Sequence, residues 1–355
     1  MAIVPVSQIK PGEKLIEDVL TRLGSVLLQK GKILSLRELE ILKAFMVPSV
    51  NIEVKVEPGQ ENSSENAADV YESEKLLQFH KQYDDTAVKV KRLFTLADSG
   101  GSLPILEIRT QIDSLLTYLD QYNLFTFSHK NSAVSEYLYN NSIMVSLTSY
   151  LLARWHGLPQ KDWIQVALAG LLHDIGNVRI DPAILGKTTK LLPHELEEMK
   201  KHTVIGYNML KNVPGLNEGV KLCALQHHEK EDGSGYPLGL KGDKIHIYAK
   251  IVAVADIFHA MTSNRNYKKA QSPYLVLEQL MQDSFGKLDP LIVQTFIQRI
   301  TSFHNGTVVR LSNNTIGEIV FTDRNNPTRP MVNVDGRIIN LVMERSLYIQ
   351  EVIRA

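Results

Sequence analysis

Eleven consecutive residues, His227-His228-Glu229-Lys230-Glu231-Asp232-Gly233-Ser234-Gly235-Tyr236-Pro237, carry the densest chemistry in this chain. Two adjacent imidazoles run into an acidic, glycine-punctuated turn. Neighbouring side chains diverge on a regular element, so both rings reach one metal cluster only where a helix ends or bends. The Asp-Gly-Ser-Gly-Tyr-Pro run supplies such a bend, since glycine permits positive φ and proline stops regular structure. Upstream, His173-Asp174 closes an apolar run and His202 follows Met199-Lys200-Lys201. Downstream, Asp256 follows the apolar residues Ile251 to Ala255. Imidazoles and carboxylates entering an apolar core cost several kcal/mol unless they are paired or metal-bound. His173, His202, His227 and His228 with Asp174 and Asp256 suit a site for two first-row transition ions, with one carboxylate free to bridge. Taken singly, each residue reads more simply as a cap or an ion-pair partner. The adjacent His-Asp and His-His pairs are what favour a cluster.

The elements that must position these groups are mostly helical. From about 122 to 303 the apolar spacing is helical almost throughout, with loops at 156–160, 186–193, 212–217 and 230–246. The apolar run 163–172 reads as a buried helix ending at His173. Residues 1–56 read as a small α/β module. Val26 to Leu34 suggests a hairpin turning at Lys30-Gly31, and Ser35 caps a short helix. Residues 57–70 form a polar linker that bears Pro, Gly and Ser. A helical connector spans 71–121, interrupted at Ser99-Gly100-Gly101. After Phe303, short β candidates at 308–311, 316–321, 331–334 and 348–350 predict a small antiparallel barrel or sandwich over 304–355.

Composition narrows the function classes. The 355 residues suit two or three domains. Lys plus Arg and Asp plus Glu number 39 each, so nothing favours DNA or RNA binding or a polybasic membrane contact. The single cysteine, Cys223, cannot form an intrachain disulfide, which fits a reducing compartment. No signal peptide and no span of about 18 apolar residues is visible. A cytoplasmic location is the expectation.

The motifs closely resemble the HD-GYP family, a branch of the HD-domain metal-dependent phosphohydrolases. The resemblance covers about 122–303. It rests on His173-Asp174-Ile175-Gly176, His202 with Gly206, the His227 to Pro237 block, Val254-Ala255-Asp256-Ile257-Phe258, and Arg265 with Tyr267. It implies a mainly α protein: an HD-type helical bundle flanked by the small α/β and β modules. It also implies two divalent metal ions, iron or manganese, and hydrolysis of cyclic di-GMP to the linear dinucleotide or to GMP. By the same resemblance, His173, Asp174, His202, His227, His228 and Asp256 are the implied metal ligands. Asp174 is the implied bridge beside an activated water. Tyr236, Arg265 and Lys268 are the implied substrate contacts. Arg and Lys also suit phosphate on their own chemistry, although an ordinary solvated helix end explains them equally well. The implied partners are cyclic di-GMP and a GGDEF-type diguanylate cyclase, with pairing into a homodimer as a further expectation. The implied mechanism is two-metal hydrolysis, with in-line attack of an acidified water and no protein nucleophile.

Several positions depart from the family pattern. Asn141 stands where the first His ligand is usual, and Tyr137 replaces a Glu one turn earlier. Asn177 replaces the Lys after His-Asp-x-Gly, and His259 replaces an Asp three residues after Asp256. Asn is a poor ligand for transition ions and cannot titrate, so one metal position should be weak and a third metal is not expected. Two roles are open to His259, which shares a helix face with Asp256. It supplies an imidazole to the metal left short at Asn141, or it forms a hydrogen bond behind the ligands. Three functional readings follow. They are an active cyclic di-GMP phosphodiesterase, a degenerate member that binds nucleotide or partner without turnover, and a hydrolase of another phosphate ester.

Overall fold

A computed structural model describes residues 2–6, 9–21, 26–45, 47–53, 67–125, 127, 136–263, 270–301 and 306–354. The chain divides into two compact units, one of Leu76–Ile300 and one that joins Met1–Lys75 to Thr301–Ala355. The protein is mainly α with a small strand-rich sheet, in line with the sequence reading.

In the unit built from the chain ends, β1 (Ala2–Pro5) pairs antiparallel with β4 (Ser49–Ile52), and β2 (Val19–Leu20) pairs with β3 (Val26–Leu28). The Lys30-Gly31 turn is present, with Gly31 at φ +84°. Its two arms do not pair with each other, which corrects the hairpin expectation. Val26–Leu28 turns back to β2, and Ile33 bridges to Lys14. A turn residue sets the reversal of the chain, but burial chooses the partner strand. Helix α1 (Leu36–Ala44) starts at Ser35 through a capping box: the Ser35 Oγ accepts from the Arg37 N–H and the Glu38 carboxylate accepts from the Ser35 N–H.

The C-terminal strands are β5 (Val308–Leu311), β6 (Ile316–Phe321), β7 (Met331–Val334), β8 (Arg337–Asn340) and β9 (Ile349–Arg354). They form one antiparallel sheet in the order β8-β7-β6-β5-β9, neither a barrel nor a sandwich. A single sheet needs another layer over its apolar face. Here Val308 and Ile316 share a core with Leu15, Leu27, Leu34, Leu42 and Val50 from the other chain end. The Arg310 Nε also donates to Glu351 at 2.9 Å across the β5–β9 pair.

The helical unit begins in α2 (Ala67–Ser99), whose buried side chains include Phe79, Tyr83, Leu93 and Phe94. Gly100, at φ +73°, ends it at the expected break. There follow α3 (Ile105–Leu116), α4 (Tyr137–Trp155), α5 (Gln160–Leu172), α6 (Pro182–Leu185), α7 (Pro193–Lys200) and α8 (His202–Leu210). Then come α9 (Glu218–Gln226), α10 (Ile247–Thr262), α11 (Pro273–Asp283) and α12 (Pro290–Ile300). Helix α10 touches α4, α5, α9, α11 and α12. Its Ile251, Val252, Val254, Ala255 and Phe258 are buried around its circumference, as a central helix requires. Helix α5 likewise buries every residue from Val166 to Leu172. Among the described residues, no helix is long and apolar enough to cross a membrane.

Candidate metal centre

Helix ends deliver most of the cluster. His173 caps the C-terminus of α5, and Asp174 opens the 3-10 turn Ile175–Arg179. His202 is the first residue of α8, His227 caps α9, and His228 follows it. Asp256 is different, projecting from the middle of α10. The 3-10 turn lies hard against α8. A Cβ on Gly176 would fall 2.0 Å from the His202 carbonyl oxygen, so only glycine lets Asp174 approach His202 this closely.

Local hydrogen bonds set the imidazole tautomers. Nδ1 of His173 donates to the Gly170 carbonyl at 2.7 Å, that of His202 to Met199 at 2.6 Å, and that of His227 to Cys223 at 3.1 Å. A carbonyl only accepts, so each Nδ1 carries a proton and each Nε2 faces the cluster. This is the usual arrangement behind metal-binding histidine.

Two donor sets result, each with ligand atoms within 4.8 Å of one another: Asp174, His202, His227 and His228 in one, and His173, Asp174 and Asp256 in the other. Asp174 belongs to both. Its Oδ1 lies 3.4 Å from His202 Nε2 and 3.7 Å from His227 Nε2, whereas its Oδ2 lies 3.3 Å from His173 Nε2. The Nε2 atoms of His202 and His227 are 3.3 Å apart. Two ring nitrogens that close, each with its proton committed at Nδ1, need a cation or a proton between them. Among the described residues the buried His173 Nε2 makes no hydrogen bond, although Asp174 and Asp256 lie 3.3 Å and 3.6 Å away. The residues therefore fit divalent metal.

Electrostatics agree with that fit. Burial lowers the pKa of His202 and, with the neighbouring His227 and His202 rings, lowers that of His228 well below the usual range. Both rings are neutral, with lone pairs to give. Burial works against the ionised Asp174 and Asp256, yet the neighbouring imidazoles hold both carboxyls below the ordinary carboxylate range. Burial also disfavours the charged form of His173, but Asp174 and Asp256 raise its pKa well above normal. That side of the cluster calls for positive charge.

The other singled-out residues are placed less uniformly. The half-buried Tyr236 lies at the rim, its ring 4.7 Å from that of His228. His259 is in neither donor set. It is buried, with Nε2 2.7 Å from Thr148 Oγ1 and 3.4 Å from the Tyr122 hydroxyl, so the geometry supplies the hydrogen-bonded role of the two open to it. Asn177 is buried on the 3-10 turn, its N–H donating to the Asp174 carbonyl. Asn141 is buried on α4, and its Nδ2 donates to Asp256 Oδ1 at 3.2 Å. Arg265 and Lys268 lie outside the described residues.

Sequence reasoning passed over two residues. Glu229 is buried, and its carboxylate accepts from the Leu238 N–H at 2.7 Å and the Leu240 N–H at 2.9 Å. It thus closes the loop that carries Tyr236, within which the Tyr236–Pro237 bond is cis. The Glu231 and Asp232 N–H groups donate to the Lys287 and Gly286 carbonyls, and Lys250 pairs with Glu231 at 2.9 Å and Asp289 at 3.2 Å. An acidic residue inside a turn motif looks solvated. Only its place directly after His228, at the mouth of the folded-back loop, hinted otherwise. Lys200 was also missed: its ammonium lies 5.5 Å over the Tyr236 ring and pairs with Glu197 at 2.7 Å.

Residues 128–292 match the HD domain family. A cyclic di-GMP phosphodiesterase of Pseudomonas aeruginosa is 31% identical over 224 residues, which is 61% of this chain and 54% of that protein. A cyclic di-GMP phosphodiesterase of Thermotoga maritima is 42% identical over 150 residues, 41% of this chain and 40% of that protein. A 3'3'-cGAMP-specific phosphodiesterase of Vibrio cholerae is 32% identical over 245 residues, 63% of this chain and 47% of that protein. The chain spans about half the length of the curated relatives it matches.

Proposed function

We propose that this chain, whose residues 128–292 match the HD domain family, is an HD-GYP protein and a metal-dependent phosphodiesterase that hydrolyses cyclic di-GMP to the linear dinucleotide or to GMP. The observation that carries the proposal is the split of Asp174, with Oδ1 turned to His202 and His227 and Oδ2 to His173. A carboxylate shared in this way suits two ions, iron or manganese.

His202, His227, His228 and Asp174 would hold one ion, and His173, Asp174 and Asp256 would hold the other. Such ions would supply Lewis acidity toward phosphoryl oxygen and acidify water. Asp174, common to both donor sets, would be placed to orient that water. Tyr236 stays protonated, because burial and then the Asp174 and Asp256 charges raise its pKa, so its hydroxyl donates a hydrogen bond to a phosphate at the rim. Arg265 and Lys268 are proposed guanine and phosphate contacts. A GGDEF-type synthase is the proposed protein partner, at the surface around Tyr236 and the exposed Leu238. Pairing with a second copy and a cytoplasmic location, which suits the single free Cys223, complete the reading.

Turnover of cyclic di-GMP by the full chain with manganese or reduced iron tests the proposal. Release of linear dinucleotide or GMP supports it. A second reading, nucleotide binding without turnover, draws on Asn141 at a usual ligand position. Tight binding with no product after metal loading would select it.

A further inference from the structure

The two halves of the cluster offer different donor chemistry. One presents three imidazoles and one carboxylate oxygen, and the other presents one imidazole and two carboxylates. Asn141 stands beside the second half, only 2% exposed. Its Nδ2 donates to Asp256 Oδ1 at 3.2 Å, while its Oδ1 is buried and makes no hydrogen bond among the described residues. The amide orientation follows from chemistry: reversed, it would set an amide oxygen against a carboxylate oxygen. The same Asp256 oxygen lies 3.6 Å from His173 Nε2. An orphaned amide oxygen and an orphaned imidazole nitrogen therefore flank one carboxylate. A buried carbonyl oxygen without a partner is costly unless something positive meets it.

We propose that Asn141 Oδ1 is a metal ligand that makes this half of the site oxygen-rich and selective for a hard divalent ion, Mn²⁺ or Mg²⁺. The histidine-rich half takes a borderline ion such as Fe²⁺ or Zn²⁺. Carboxylate and carbonyl oxygens suit Mg²⁺ and Mn²⁺, whereas imidazoles suit Zn²⁺ and Fe²⁺. The Asn141–Asp256 hydrogen bond works as a hinge pin: it commits the amide nitrogen to the carboxylate and leaves the oxygen as the atom available to the ion. The protein is thus built for two different metals. The inference rests on the metal-dependent reading above and does not require turnover.

The test is equilibrium metal binding by the full chain, freed of metal by a chelator and then loaded with one equivalent of Zn²⁺ and titrated with Mn²⁺. Manganese electron paramagnetic resonance and elemental analysis report the two ions separately. One Zn²⁺ and one weaker Mn²⁺ are expected. Asn141→Ala should weaken Mn²⁺ by about 10- to 100-fold and leave Zn²⁺ unchanged. Asn141→Asp should tighten Mn²⁺, and Asn141→His should admit a second Zn²⁺ and erase the discrimination. Circular dichroism melting shows which variants are folded, and the near-isosteric Asp change serves if Ala is not. Unchanged Mn²⁺ affinity in folded Asn141→Ala or Asn141→Asp overturns the inference, as does a wild-type chain that prefers Zn²⁺ in both halves. A wild-type chain that binds no metal overturns this inference and the proposed function together. Two ions bound with the expected discrimination, but no turnover of cyclic di-GMP, supports the inference and overturns only the catalytic reading.

Discussion

The histidine-rich and oxygen-rich halves of the cluster are built by different means. In the first, His202 and His227 are oriented within their own neighbourhoods, each Nδ1 bonding a carbonyl three or four residues back. In the second, His173 is anchored the same way to Gly170, but Asp256 meets Asn141 across 115 residues of chain, and His259 on the same helix meets Thr148 across 111. Locally anchored side chains keep their orientation as long as their helix ends survive. Side chains anchored between helices depend on the packing of α10 against α4. The second half is therefore the one that a change elsewhere in the bundle disturbs first.

The largest test strikes the atom pair common to both halves. Asp174→Asn should release both ions and cut turnover by about 10³-fold, several kcal/mol of transition-state stabilisation being lost. Elemental analysis with steady-state rates checks this, and two retained ions would break the comparison at its centre.

Next is the packing behind the oxygen-rich half. Burial lowers the His259 pKa from 6.5 to about 4. Below pH 6.5 the unfolded chain binds a proton that the buried ring refuses until about pH 4. Stability is therefore complete above pH 6.5 and falls as the pH drops through that window, by about 3 kcal/mol in all. Denaturant melts across pH 4–7 should show the slope, and His259→Gln should flatten it. An unaltered slope would remove His259 as its source.

Glu229 tests the loop beside the histidine-rich half. Glu229→Ala leaves the Leu238 and Leu240 N–H groups without their acceptor and should cost about 2 kcal/mol. Hydrogen exchange at those two amides should quicken, while Mn²⁺ in the oxygen-rich half is unaffected. The smallest effect is expected from Lys200→Ala. It removes a cation from the Tyr236 ring, worth about 0.5–1 kcal/mol, and should raise KM for an anionic dinucleotide twofold to fivefold. A change in kcat without KM would contradict that placement.

Legibility followed the same division. His173-Asp174, His202, His227-His228 and Asp256 were readable because adjacent polar pairs at the ends of apolar runs are costly without a shared purpose. Asn141 was readable only as an oddity of register. That its nitrogen serves Asp256 while its oxygen is left over depends on a helix crossing that no local pattern encodes. Glu229 looked like a solvated turn residue because the backbone N–H groups it accepts from lie 9 and 11 residues away. In the other unit the Ser35 cap was legible from residues three apart, whereas the strand partners of Val26–Leu28 and the core shared by Val308 with Leu15 were not.

By itself, then, the sequence determined the helical class, the identity of six titratable groups and the turn that carries Tyr236. Those follow from short-range rules of periodicity, capping and the cost of buried charge. Tertiary structure alone decided that Asp174 divides its oxygens between two donor sets, that His259 turns to Thr148, and that Asn141 braces Asp256. The physical reason is the reach of the forces involved. Backbone preference acts over a few residues, whereas hydrogen bonds and metal-donor geometry are settled by atoms that only the packed helices bring within about 3–4 Å of each other.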